Sequence, residues 1–371
     1  MELNYLINIV NDLTNRFEHP KLQFEHELKK ELVNLNDFEK KIVRNKINSI
    51  SYNIGALNVL KILKECDVCS ISDYLESIND EFEKLQIVTE ILDDEDSYIL
   101  FEELIKSNRF DNLIDLSIRN YVNDLIHRQD IIQNEIIMST HKLLTGDHFV
   151  KCILPKFLNT LFHLDFKNPK ELIEAVSSQN EWNLEFGSFR VLRNVIDNVM
   201  PLYNTFIVKE ICSLINSEKN ICWFFILMVV NFIKDEHEGY VELKNLIYSQ
   251  ITAFCETNSL SSLYKSLILA RQLYHYTDNK KKLSYQQWIK NNIGDLNYRL
   301  KNKSVFTDIM SSLENLIPFE NDLDVVKIHI SVQISAPSKE YSNVLAYKQL
   351  LRSREEVLLR DNTQLSQMFS E

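Results

Sequence analysis

The sequence predicts an all-α protein, built as an irregular helical-repeat solenoid of the HEAT or armadillo type or as a large helical bundle, with one isolated C-terminal β-strand. The chain has only 5 glycines and 6 prolines among 371 residues, so tight turns are scarce and long helices run uninterrupted. Most segments of about 12 to 20 residues carry apolar residues at helical spacing. A third observation is residues 221–233, ICWFFILMVVNFI, in which only Asn231 is polar. A helix that is apolar on every side is covered on every side, and at about 20 Å this one is shorter than the ~30 Å core of a bilayer.

Residues 1–164 are predicted to form an N-terminal helical array. The first helix ends at His19-Pro20, and a second is expected at about 22–35. Asp37 is the expected N-cap of a third helix that continues past Ile54. Later helices are predicted at 82–92, 98–104, 111–125, 131–144 and 149–164. The apolar face of the first helix consists of Leu3, Leu6, Ile7, Val10 and Leu13.

Residues 165–322 are predicted to form a second helical array around a central buried helix at 221–233. Asn168-Pro169 is a typical helix start, an N-cap followed by proline in the first turn. No fixed internal period is present, which favours an irregular array over a consensus repeat. Further helices are expected at 241–255, 260–276, 285–300 and 305–316.

Residues 323–371 are predicted to form an extended strand followed by an amphipathic helix and a tail. Residues 325–335, VVKIHISVQIS, alternate apolar and polar side chains with the period of a half-buried strand, and Pro337 ends the pattern. A strand needs a partner for its backbone, and three arrangements satisfy it. The segment lies along a helical groove, pairs with a short segment elsewhere in the chain, or adds to a strand of another protein by β-augmentation. In the third case residues 325–360 form a docking module, with Ile328, Ile330, Val332, Ile334, Arg352, Arg354 and Arg360 as the candidate partner-binding residues.

Isolated glycines and sparse cysteines exclude several kinds of catalytic site. Phosphate loops, dinucleotide fingerprints and nucleophile elbows need clustered glycines, and none is present. The lone Cys66-x-x-Cys69 pair follows a helix without a neighbouring strand, and zinc would need further ligands. His141 and His148 flank a turn at Gly146 and are interpreted as surface residues. No catalytic residue, metal ligand or cofactor is therefore predicted.

The acidic run Asp93-Asp94-Glu95-Asp96 supports an alternative, a Mg²⁺-dependent helical enzyme of the isoprenoid-synthase type. Such a site needs carboxylates at positions i, i+1 and i+4 on one helix face, but position i+4 from Asp93 is Ser97. Negative charge before a helix also favours its dipole. We therefore interpret the acidic run as the negatively charged start of the following helix.

Charge and cysteine content constrain partners and location. The net charge of −12 argues against general binding to phosphate backbones. A third hypothesis, a nucleic-acid-associated complex subunit, uses Lys280 to Lys282 and the C-terminal arginines. Glu2 stands where a secretory signal carries positive charge, and six cysteines are too few for a disulfide framework. A cytoplasmic or nuclear protein is expected, not a secreted one.

The absence of convergent catalytic residues favours a non-enzymatic scaffold or adaptor subunit of an intracellular multiprotein complex. Its partners are expected to be proteins, bound by β-augmentation through residues 325–335 or on the concave face of a solenoid. No membrane contact and no direct contact with nucleic acid are expected.

Overall fold

The computed structural model of the chain describes residues 9–11, 25–50, 52, 56–94, 97–127, 147–167, 169, 171–217, 220–276, 283–294, 303–337 and 340–368. Every regular element in these ranges is a helix and none is a strand, which confirms the all-α prediction. The chain divides into two compact units, Met1–Leu161 and Phe162–Glu371. The division into residues 1–164, 165–322 and 323–371 that the sequence predicts stays a prediction.

The first unit contains the first eight helices described here. They are α1 (Glu25–Val33), α2 (Asp37–Ile47), α3 (Leu57–Glu65), α4 (Ile71–Ser77), α5 (Glu81–Asp93), α6 (Tyr98–Ser107), α7 (Asp111–His127) and α8 (Asp147–Phe162, whose last residue lies in the second unit).

The second unit contains nine further α-helices and three short irregular turns. The helices are α9 (Leu172–Glu185), α10 (Arg190–Asn216), α11 (Trp223–Ile233), α12 (His237–Thr257), α13 (Leu260–Tyr274), α14 (Tyr285–Ile289), α15 (Lys303–Leu316), α16 (Leu323–Ser331) and α17 (Tyr341–Met368). Phe186–Ser188 and Ile317–Phe319 are 3₁₀ turns, Lys290–Gly294 is a π turn, and α10 is kinked at Tyr203.

Capping at the start of α2 differs by one residue from the prediction. The Oδ1 atom of Asn36, not the side chain of Asp37, accepts a hydrogen bond from the Glu39 amide at 3.0 Å. The Glu39 carboxylate accepts in return from the Asn36 amide at 2.9 Å, which completes a capping box. The helix ends at Ile47 and does not continue past Ile54.

The apolar run of the sequence forms the buried helix α11 and the turn that precedes it. Residues 221–230 are all buried. No helix in the described ranges is long and apolar enough to cross a bilayer. Aromatic rings pack mostly edge-on around Phe224, a geometry that their quadrupoles favour, at centroid distances of 5.2 to 5.8 Å from Phe166, Trp182, Phe186, Phe189 and Phe225.

The predicted C-terminal strand is wrong, because residues 323–331 form helix α16. Asp322 caps this helix: its Oδ1 atom accepts from the amides of Asp324 at 2.9 Å and Val325 at 3.2 Å. Val325, Val326 and His329 are buried on one side, at the helical spacing i, i+1, i+4. Burial and capping outweigh the weak strand preference of β-branched residues.

Only the residues after α16 are extended. They run from 332 to 337 beside the π turn, where the Ser335 amide donates to the Gly294 carbonyl at 2.8 Å. Gly294 permits this approach, because a Cβ atom there would lie 2.7 Å from the Gln333 carbonyl oxygen.

Candidate partner-binding site on the C-terminal helices

The inner face of α17 packs against the second unit. Val344, Tyr347, Leu351 and Leu358 are buried, and their spacing of 3, 4 and 7 residues places them on one side of the helix. Apolar burial therefore fixes which face of α17 is turned away from solvent.

A buried chain of hydrogen bonds joins α14, α16 and α17. The Nε2 atom of His329 lies 3.1 Å from the Tyr285 hydroxyl, and its Nδ1 atom lies 2.6 Å from the Tyr347 hydroxyl. Burial, together with the positive charges of Arg271, Lys348 and His275, lowers the pKa of His329 to about 3. The imidazole is therefore neutral and has one donor and one acceptor nitrogen for the two hydroxyls.

Lys348 of α17 holds the C-terminal end of α16. Its ammonium donates to the carbonyl oxygens of Ile330 at 2.9 Å and Val332 at 2.6 Å, and also to that of His329. Helix ends leave such carbonyls without partners inside the helix, and a lysine near the C-terminus also complements the helix dipole. Burial and the neighbouring charge of Arg352 lower the pKa of Lys348 to about 8.

Charged groups also anchor the segment that leads into α16. Arg271 and Glu320 form a buried ion pair. Asp322 accepts from Tyr276 at 2.9 Å and lies 3.0 Å from His275 Nε2. Burial alone would raise the pKa of Asp322, but the hydrogen bond and charge of His275 and the other donors lower it to about 2.

The space beneath α17 is too small for a substrate. A cavity of about 20 Å³ is lined by Arg271, His329, Tyr347 and neighbouring apolar side chains. This volume is room for about one water molecule, whereas small-molecule sites are far larger. The polar groups under α17 therefore serve to hold the helix in place.

The structure places two of the four predicted apolar candidates out of reach of a partner. Val332 and Ile334 are only 4% and 6% exposed, whereas Ile328 and Ile330 are half-buried. Because residues 325–331 are helical and make no strand ladder, the structure does not support β-augmentation through residues 325–335.

The three predicted arginines have different environments. Arg354 donates from Nε to the Glu320 carbonyl and from Nη2 to Asn321 Oδ1, both at 2.8 Å. Arg360 donates to the Glu356 carbonyl at 3.3 Å and lies 3.9 Å from the Glu356 carboxylate. Arg352 is exposed and makes no hydrogen bond or ion pair with any residue that the structure describes. Of the three arginines, only Arg352 has all of its guanidinium donors available for a partner.

Exposed apolar residues on α17 were not among the partner-binding residues predicted from the sequence. Of the fourteen exposed large hydrophobic residues in the described ranges, five lie on this helix. The sequence did contain a signal for them, because the apolar positions of α17 extend over a wider part of the helix surface than a single buried stripe requires. The five are Tyr341, Leu345, Leu350, Val357 and Leu359.

Other candidate chemistry has structural explanations where the chain is described. Cys66 and Cys69 are buried thiols, and burial raises the pKa of Cys69 to about 12, the reverse of a reactive cysteine. Asp94 of the acidic run pairs with Lys61 and accepts from the Ser97 hydroxyl. No group of three or more His, Cys, Asp or Glu residues in the described ranges could hold a metal ion.

Several predicted features lie outside the described residues. These are Glu95 and Asp96 of the acidic run, the lysines 280–282, His141 with Gly146, the helix expected at 131–144, Asn168, and the apolar face of the first helix apart from Val10.

Comparison with known proteins places the chain in a family. Residues 111–358, about two thirds of the sequence, match the family model described as Fanconi anaemia group A protein N terminus. No individual curated protein matches. The family match indicates a non-enzymatic component of a multiprotein complex, of a kind found in nucleus and cytoplasm. The matched region begins with α7 and ends within α17, so the candidate site lies mostly inside it. The chain therefore belongs to the Fanconi anaemia group A protein N terminus family.

Proposed function

We propose that the protein is an intracellular helical scaffold, an adaptor subunit that binds another protein of its complex through the outer face of α17. The observation that carries the proposal is a contrast between the two sides of this helix. The inner side is fixed by buried apolar and polar contacts, and the solvent-exposed flanks on either side of it carry five large hydrophobic side chains. A held helix with exposed apolar residues is pre-organised for binding.

The exposed residues on α17 are too numerous for an ordinary solvent face. Scattered single hydrophobic residues on a surface need no explanation, but grouped ones mark interaction sites. The helix has 28 residues and is about 42 Å long at 1.5 Å per residue. Helix faces of this kind dock with grooves or other helices in partner proteins.

We also propose that the helices stack as an irregular repeat. The hairpin formed by α12 and α13 supports this arrangement, since only residues 258 and 259 connect the two helices. Asn258 adopts a left-handed conformation, with φ of 58°, which closes the turn after α12. Helical hairpins joined by such turns are the building units of solenoids.

The proposal is tested by placing charges on the outer face of α17. A variant carrying Leu345→Glu, Leu350→Glu and Leu359→Glu should reduce the amount of partner that co-purifies from native cells by roughly tenfold or more. The matched control carries Val241→Glu and Leu260→Glu, two exposed apolar positions on α12 and α13, and should retain the partner. Thermal unfolding of both proteins verifies that they are folded. Full retention of the partner by the α17 variant, or equal loss in the control, would contradict the proposal.

A further inference from the structure

The exposed apolar residues of α17 form two separate ridges. One ridge contains Tyr341, Leu345, Arg352 and Leu359, separated by 4, 7 and 7 residues. At about 100° per residue these positions lie within about 40° of one another on the helix. The other ridge contains Leu350 and Val357, also seven residues apart, on the opposite flank of the buried face.

The first ridge has a cation midway between two leucines. Tyr341, Leu345 and Leu359 are 61%, 50% and 45% exposed. Arg352 lies two turns from each leucine. No residue that the structure describes forms a hydrogen bond or an ion pair with Arg352, and the carboxylate of Glu356, four residues further along the helix, lies 3.9 Å from Arg360. An exposed guanidinium between apolar residues provides a fork of donors that suits a carboxylate.

We infer that this ridge receives an amphipathic helix of another subunit, one with an Asp or Glu midway along its apolar stripe. The inference rests on the proposed function of α17 and names the partner's chemistry. Two observations carry it: the seven-residue spacing of Leu345, Arg352 and Leu359, which is the repeat with which helices pack side by side, and the unpaired charge of Arg352. The ridge is about 27 Å long, which corresponds to about five helical turns on the partner.

The second ridge differs in its electrostatics and provides an internal comparison. Arg354 lies between Leu350 and Val357 in the sequence, but its guanidinium is already bonded to Glu320 and Asn321. The second ridge therefore lacks a free cation from Arg354 and has no similar preference for an acidic helix.

The test is photo-crosslinking within the native complex. A benzophenone amino acid replaces Leu345 or Leu359 on the first ridge, and Leu350 or Val357 on the second, in the full chain purified with its complex. Mass spectrometry then maps each crosslink. Positions 345 and 359 should crosslink to one helical segment of another subunit, with an acidic residue between the two attachment points. Arg352→Glu should lower the yield by roughly tenfold, and exchanging the partner's acidic residue for arginine should restore it.

The other outcomes show whether this inference fails alone or together with the proposed function. Crosslinks from the second ridge alone would overturn the inference and leave the proposed function standing. Crosslinks to a second copy of this chain would show that the ridge binds this protein itself and not a helix of another subunit. An unchanged yield with Arg352→Glu would overturn the acidic partner, and no crosslinks from either ridge would overturn both proposals.

Discussion

His329 shows how a single buried residue ties three helices together. Its imidazole bonds to hydroxyls from α14 and α17 while its own backbone belongs to α16. Because the site is closed to solvent, a charged imidazole would lose its hydration there, and the folded protein keeps His329 neutral. The pKa of about 3 in the folded protein compares with an ordinary value of 6.5.

This difference predicts that acid weakens the second unit through His329. As the pH falls through 6.5, His329 of the unfolded chain binds a proton, whereas His329 of the folded protein stays neutral down to about pH 3. The free energy of unfolding therefore decreases as the pH falls. The slope is at most about 1.4 kcal/mol per pH unit. Between pH 7.5 and pH 5.0 the native protein should therefore lose about 2 kcal/mol more than a His329→Gln variant, as measured by urea unfolding. Equal pH dependence in the two proteins would show that His329 is not the group responsible.

At the scale of the helix, α16 is held at both ends by side chains. Asp322 satisfies amides at its start, and Lys348 satisfies carbonyls at its end. A nine-residue helix is too short to be stable alone in water. These two contacts and the burial of its inner face therefore determine its conformation.

Removing the ammonium of Lys348 should loosen the end of α16. Lys348→Met keeps the apolar stem but leaves the carbonyls without this donor, at an expected cost of about 1 to 3 kcal/mol. Hydrogen exchange should accelerate at the amides of α16. The control is Lys327→Met on the exposed side of the same helix, where the change should stay within about 0.5 kcal/mol. Unaltered exchange with Lys348→Met would argue against its capping role.

The approach of α12 to the end of α11 depends on Gly239. A Cβ atom at this position would lie closer than 3.0 Å to the backbone carbonyl oxygen of Ile233, whereas a Cβ atom at Gly187 would meet nothing within 4 Å. Gly239→Ala should therefore lower the free energy of unfolding by about 1 to 3 kcal/mol. Gly187→Ala should change it by less than about 0.5 kcal/mol. Denaturant unfolding of the two variants compares them directly, and a similar effect at both positions would contradict the predicted close contact.

At the scale of the whole molecule, the chain combines two compact units with a candidate binding surface on the last helix of the second. Polar side chains of α17 bond directly to α16, to Val332 just after it, and to Glu320 and Asn321 before it. A helix bonded to several elements is part of its unit, not an appendage. The adaptor proposal needs this property, because a helix that is already ordered loses little entropy on binding.

The second unit should fold without the first, and it should need α17 to do so. A fragment of residues 162–371 is expected to unfold cooperatively on heating. A fragment of residues 162–340 exposes the face that Val344, Tyr347, Leu351 and Leu358 cover, and should unfold without a sharp transition and bind a hydrophobic dye. Calorimetry and dye fluorescence provide the measurements. A cooperative transition in the shorter fragment would show that α17 is dispensable for the fold.

Composition and periodicity were enough to predict the helical class and the buried helix α11. Both are local properties of the sequence: few glycines and prolines permit long helices, and a run that is apolar on all sides has to be covered. The family match supports a non-enzymatic complex subunit, in agreement with a sequence that lacks clustered glycines and metal-ligand spacings.

The conformation of residues 323–331 was decided by a local cap together with tertiary structure, and not by the apolar pattern of the segment. In nine residues, apolar positions fit an alternating pattern and a helical one equally well, and only the cap from Asp322 and the cover from α17 select the helix. The same holds for the arginines. Arg352 and Arg354 are two residues apart, but Arg354 faces the carbonyl of Glu320 and Arg352 faces solvent. Residues that are distant in the sequence therefore decide which arginine is available to a partner. Only the fold brings those residues close to the arginines.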